Sequence, residues 1–277
     1  MSDILKYKLS YTGEDADHNR LPAHNGAISI EGMTWSFSIL SHYAATGKIK
    51  TRGELSPRIK TFLVPARKGS YLQELWVWIS EPENLFMTSV IGSYTVSTVG
   101  QVVNSLIVSS IRQVCGLEAG LSTAHATKLN KLPSGDREAL IDRIEPSIRR
   151  AHEVIDEGAS KMRIVKGTTP LVVLDRNTKA YVNTDILTDE EVITAGVGAY
   201  NANTGNGSVY LPDTGKTVPF FVPKGLHPNT YAALSYSLDR YVNNLPSYIQ
   251  IACVKSVSVD SRVKKLKINH AFKGGGN

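Results

Sequence analysis

Asn84–Ile111, NLFMTSVIGSYTVSTVGQVVNSLIVSSI, holds no charged residue in a chain of which 20% is charged. Apolar residues recur at Val96, Val99, Val103, Ile107, Ile111 and Val114, with Val102 and Leu106 beside them. That spacing predicts one long helix. Its other face carries Ser97, Gln101, Asn104, Ser105 and Ser109, which are polar but uncharged. A helix facing open water spreads Lys and Glu over its outer face. A face of small hydroxyls and amides suits close packing against another helix or another subunit. Ser97, Gln101, Asn104 and Ser105 are therefore the candidate oligomer contacts. A homo-oligomer is the expected assembly, because symmetric self-association is the common outcome for such a face. Glu81, Pro82 and Glu83 precede the helix and Arg112 lies near its end, the charges that a helix macrodipole favours.

The stretch is long enough for a transmembrane span, which needs roughly 20 apolar residues. Its composition argues against one: half of it is Ser, Thr, Gly, Asn or Gln, and no Lys/Arg cluster or aromatic belt flanks it. A membrane partner is not expected. No apolar run follows Met1, so no secretory signal is read. Cys115 and Cys253 lie far apart, without metal-ligating neighbours, and read as reduced core thiols. A cytoplasmic location is the expectation. The net charge of +6 permits an anionic partner without requiring one.

Working back toward the N-terminus, Ile4–Ser10 alternates, with Leu5, Tyr7 and Leu9 on one face and Lys6 and Lys8 on the other, the pattern of a half-buried strand. A polar loop follows, with Asp15, Asp17, His18 and His24. Two Asp and two His suit a metal or a hydrolytic site in kind, but no recognised ligand spacing is present. They read instead as a turn-rich, partner-contacting loop in which Asp and Asn satisfy backbone donors. No metal and no cofactor is assigned. A helix is predicted over Ile30–Thr46, closed by Gly47. Strands are predicted over Ile59–Val64 and Tyr71–Ile79, joined by a turn through Pro65–Ser70. The order of Tyr11, Gly13, Asp17 and His18, then Tyr43 and Gly47, then Arg67, Gly69, Ser70 and Tyr71 resembles an uncharacterised family of bacterial and prophage proteins. The resemblance covers about the first 80 residues. It implies no activity and no catalytic residue, and phage–host conflict as a setting.

Beyond the uncharged stretch, Arg137–Asp156 reads as an amphipathic helix around Leu140, Ile144, Ile148 and Ile155, with Pro146 inside it. From Thr168 the texture changes to short strands and glycine turns. Leu171–Asp175, Ala180–Val182, Glu191–Tyr200, Ser208–Leu211, Thr217–Val222, Tyr248–Val259 and Val263–Asn269 are strand-like, with a helix over Pro228–Val242. Such spacing suggests a small barrel or sandwich. The hairpin through Asn203–Gly207 is similar in outline to the first hairpin of cold-shock and other OB-like barrels, but it keeps only Tyr200 and Tyr210 for stacking. Gly215-Lys216-Thr217 resembles the end of a phosphate loop, yet Tyr210 stands where its leading Gly belongs. Arg262, Lys264, Lys265 and Lys267 are candidate phosphate contacts on the last strand.

These readings combine into an α+β protein: an N-terminal sheet-and-helix unit over 1–82, central long helices over 83–163 and a small OB- or SH3-like barrel over 164–277. The expected function is non-enzymatic binding or regulation through self-assembly and protein contacts, in a bacterial or phage setting that suggests antiviral defence. The alternatives are nucleic-acid binding by the basic C-terminal strand and a membrane-active effector that releases helix 84–111. A hydrolase built on Asp15, Asp17, His18 and His24 is a minor option.

Overall fold

The computed structural model describes residues 3–50, 54–64, 71–92, 95–259 and 261–273. The protein is α+β, with a sheet-and-helix unit followed by a closed five-stranded barrel. Two compact units emerge from the contacts: Met1–Leu132 with Leu140–Asn183, and Pro133–Ala139 with Thr184–Asn277.

In the first unit, β1 (Asp3–Thr12) is followed by a short 3-10 turn and the helix α1 (Ala23–Thr46). Strands β2 (Ile59–Val64) and β3 (Leu72–Ile79) come next, then the helices α2 (Phe86–Ile91), α3 (Val96–Val114), α4 (Thr123–Leu129) and α5 (Asp136–Ala151). Strands β4 (Lys161–Lys166) and β5 (Thr169–Leu174) and the helix α6 (Arg176–Asn183) complete it. The sheet runs β2-β3-β1-β4-β5, all antiparallel. β4 pairs with β1, so the sheet of this unit joins strands from both ends of its sequence.

One face of the sheet is covered. Leu5, Tyr7, Leu9 and Tyr11 alternate inward along β1, and all are buried. Tyr7 meets Phe37 of α1 edge-on at 4.9 Å and donates its hydroxyl to Asn104 of α3 at 2.8 Å. The helices α1 and α3 therefore lie on this face.

The expected single helix over 84–111 is two helices. Gly92 closes α2 in the left-handed conformation, at φ 68°, and Thr95 opens α3 by accepting the amide of Thr98. No helix among the described residues is long and apolar enough to cross a membrane. α1 begins at Ala23, well before the expected Ile30. Its first turns pack through small residues, which leave no hydrophobic period to read. Ser29 donates to the Ala151 carbonyl, and a Cβ at Gly32 would stand 2.4 Å from the carbonyl oxygen of Ser147 in α5. Ala180–Val182 is not a strand but part of α6, where the Asp175 carboxylate caps the amides of Asn177 and Thr178. The predicted turn through Pro65–Ser70, with Arg67, Gly69 and Ser70 of the resemblance, lies outside the described residues.

In the second unit, β6 (Ile186–Leu187), β7 (Glu191–Asn201), β8 (Asn206–Leu211) and β9 (Lys216–Phe221) precede the helix α7 (Pro228–Val242). β10 (Tyr248–Val257) and β11 (Val263–Phe272) follow it. The ring runs β7-β8-β9-β11-β10 and back to β7, with β6 added to β10. Among the described strands of this unit, β9 and β11 alone pair in parallel. That order, with a helix between the third and fourth barrel strands, is the OB arrangement. Val197, Val209, Phe220, Ile251, Leu266 and Ile268 fill the interior, and Leu234 of α7 joins them.

Candidate nucleic-acid interface

Side chains alternate along each strand, so the residues between the buried ones on β1, β3 and β4 share the opposite face of the sheet. Residues directly opposed on neighbouring strands point to the same side. The register then gives three rows across that open face. Lys60 of β2 lies beside Trp78 of β3, which lies beside Ile4 of β1. Phe62 lies beside Trp76, then Lys6. Val64, Glu74, Lys8 and Val165 form the third row, and Arg163 pairs with Ser10 beyond it.

Two of the three aromatic residues of these rows are open to solvent. Trp78 is 45% exposed and Phe62 39%, and their rings stand 6.0 Å apart, tilted at 47°. A single exposed apolar side chain is ordinary on a protein surface, but two in ring contact make a patch. Lys6 holds its ammonium 4.4 Å above the Trp76 ring, a cation–π contact. Trp76 donates its indole N–H to Glu74 at 3.0 Å, which fixes the ring and engages the one carboxylate in these rows. Lys6, Lys8, Lys60 and Arg163 form no ion pair among the described residues. The face therefore combines flat π-surfaces with four cations against one carboxylate, the two elements from which single-stranded nucleic-acid platforms are built.

The residues singled out from the sequence are placed differently. Asp15 pairs with Arg20 at 2.8 Å, and Asp17 accepts the Gly13 amide at 2.7 Å. His18 ends the 3-10 turn, whereas His24 stands not in the loop but in the first turn of α1. The loop is pinned from beneath: Ala16 donates to the Gly158 carbonyl and Glu14 accepts the Gly158 amide. Among the described residues no three of His, Cys, Asp and Glu come together as a metal set.

The four α3 residues divide. Ser97 and Gln101 are exposed, Asn104 takes the Tyr7 hydroxyl, and Ser105 is buried and bonded to His125 Nδ1 at 3.0 Å. The absence of charge on half of that face is explained by partners within the same unit. On β11, Lys264 shares the parity of inward-facing Leu266, and its ammonium binds Asp185 at 2.9 Å and the Thr184 carbonyl at 3.1 Å. Lys265 lies 5.2 Å from the Phe221 ring and Lys267 is exposed. Arg262 precedes the strand, so these four do not form one basic face.

The sheet residues were missed because the sequence shows each strand separately. The outward parity of Lys6 and Lys8, and the shared parity of Trp76 and Trp78, were readable. Only the register of β1, β2 and β3 brings them together.

The family comparisons divide near Asn183, where the continuous part of the second unit begins, although Pro133–Ala139 of that unit falls within the first match. Residues 189–272 match a family of unknown function, DUF7947. No curated protein and no solved structure matches the chain. Residues 7–183 match a domain of unknown function, DUF7946, and with that larger part of its length matched the chain belongs to the DUF7946 family.

Proposed function

We propose that the protein is a non-enzymatic binding protein whose ligand is single-stranded nucleic acid, laid across the open face of the N-terminal sheet. One observation carries this reading: Trp78 and Phe62 stand exposed among Lys60, Lys6, Lys8 and Arg163. Bases would stack on the rings while the cations follow the phosphates. Stacking on an aromatic side chain is worth about 1–3 kcal/mol per base, and each phosphate contact adds about 0.7 to the salt slope on a single strand. The overall charge of +6 favours the encounter. On the resemblance of the N-terminal residues alone, we extend the proposal to a bacterial or prophage setting and a part in phage–host conflict.

Fluorescence anisotropy with labelled single-stranded DNA and RNA tests this. Trp78→Ala and Phe62→Ala should each weaken binding by roughly five- to 150-fold with little change in melting temperature, as about 1–3 kcal/mol per base requires. Lys6→Glu with Lys60→Glu should flatten the salt dependence. Binding that ignores Trp78→Ala, or no salt-dependent binding at micromolar protein, removes the proposal.

A further inference from the structure

A second feature of the first unit lies at the C-terminal end of α1. There a cleft of about 760 Å³ is lined by His42, Lys48, Lys50, Arg58 and Phe86, with Ala45, Thr46, Ile49 and Asn84 completing it. Three of these side chains are cationic and none is a carboxylate. Lysines just beyond a helix end also offset its macrodipole, which accounts for Lys48 and Lys50. It does not account for Arg58, which just precedes β2 and reaches the Asn84 carbonyl at 3.2 Å.

The walls are built rather than loose. Gly47 closes α1 in the left-handed conformation, where a Cβ would stand 2.8 Å from the Phe86 ring. Lys48 donates its amide to the Thr46 hydroxyl at 3.2 Å, and Arg143 holds the Lys50 carbonyl at 2.7 Å. His42 is only 6% exposed, and its Nδ1 accepts the Ser56 amide at 2.9 Å. A neutral ring with Nδ1 accepting must carry its proton on Nε2, so this lining residue keeps one hydrogen-bond donor. Burial, with Lys50 and then Lys48 nearby, holds the imidazole below its ordinary range. The charged side chains that line the cleft with it are all positive, while Phe86, Ile49 and Ala45 supply an apolar wall.

We infer that this cleft binds a phosphorylated small molecule of nucleotide size, with the phosphates on Lys48, Lys50 and Arg58 and the apolar body against Phe86 and Ile49. The size falls within the range of small-molecule sites, about 300–1,000 Å³. Bound negative charge would offset the two lysines and raise the affinity of His42 for a proton. Binding then takes up a proton and tightens as pH falls below the ordinary histidine range. This inference is independent of the sheet-face reading.

Isothermal titration calorimetry of the full chain with ADP and with pyrophosphate provides the test. Both should bind saturably, ADP the more tightly. Lys48→Ala with Lys50→Ala should weaken both at least ten-fold and lower the melting temperature only slightly, since both side chains reach solvent and give up only their offset to the helix macrodipole. His42→Asn keeps an acceptor for the Ser56 amide. It should cut the gain in affinity between pH 7.5 and pH 5.5 relative to the wild type, which cancels the titration of the phosphate itself. Trp78→Ala should leave ADP binding unaltered. No saturable heat with either ligand at millimolar concentration overturns the inference, as does binding that the double lysine variant retains in full.

Discussion

At the scale of single residues, buried titratable groups determine how the fold responds to pH. His152 is fully buried between α5 and α6. Its Nδ1 lies 2.8 Å from the Ile148 carbonyl, which can only accept, so that nitrogen carries the proton. Nε2 therefore accepts the Thr178 hydroxyl at 3.0 Å. Burial, partly countered by the Ile148 bond, lowers the imidazole from 6.5 to about 4. In the unfolded chain His152 takes up a proton near its ordinary pKa, while in the folded chain it resists until about 4. The unfolded state thus binds more protons between those values, and stability falls as pH drops through that window, by on the order of 3 kcal/mol in full. Urea melts at pH 7.5 and pH 5 should show His152→Gln less stable than wild type at the higher pH, with the gap closing at the lower. A gap of constant size would mean that His152 does not titrate in this way. The thiols behave alike: burial pushes Cys115 up to about 12 and Cys253 to about 11, so both remain protonated and poor nucleophiles.

Among the elements, α1 and α3 show where pattern reading succeeds and where it stops. The apolar stripe of α3 was legible because Val99, Val103, Ile107 and Ile111 all face the core. The break before it was missed because the Gly92 and Thr95 signals lie inside an uncharged run that reads as continuous. The front of α1 was illegible for another reason: Ser29 and Gly32 pack directly on the backbone of α5, and Gly26 packs on the Leu21 side chain. Gly32→Ala should therefore cost about 1–3 kcal/mol, because the obstacle is the backbone of α5, which cannot rotate away. Chemical denaturation would show this directly, and a neutral result would mean that the two helices can separate slightly without loss. The divided face of α3 allows a paired comparison. Ser105→Lys should lower the melting temperature by several degrees, since it buries a cation where His125 now bonds. Gln101→Lys should be tolerated. If Gln101→Lys also lowers the order of assembly seen by light scattering, the exposed part of the face, Ser97 and Gln101, is a subunit contact.

For the whole molecule, the barrel was legible as a class and not as a topology. Alternating short strands announced β7 to β11, but the closure of β10 on β7 and the parallel pair β9–β11 are long-range pairings that no local pattern encodes. The sheet-face site was hidden for the same reason. The division into units held a further surprise: the barrel includes a segment from far upstream, Pro133–Ala139. Ser134 accepts the Tyr200 amide at 2.8 Å, Asp136 accepts from the Asn201 side chain at 2.9 Å, and a Cβ at Gly135 would stand 2.5 Å from the Asn206 carbonyl oxygen. Heredity has to respect that arrangement. A recombination event that cut between the two family segments, near Asn183, would carry off a barrel without seven of its residues and leave them behind in the donor gene. The two halves are written one after the other but are not interchangeable cassettes, and a lineage that exchanged either one would have to mend the first turn of the β7–β8 hairpin before the newcomer folded as well as the original.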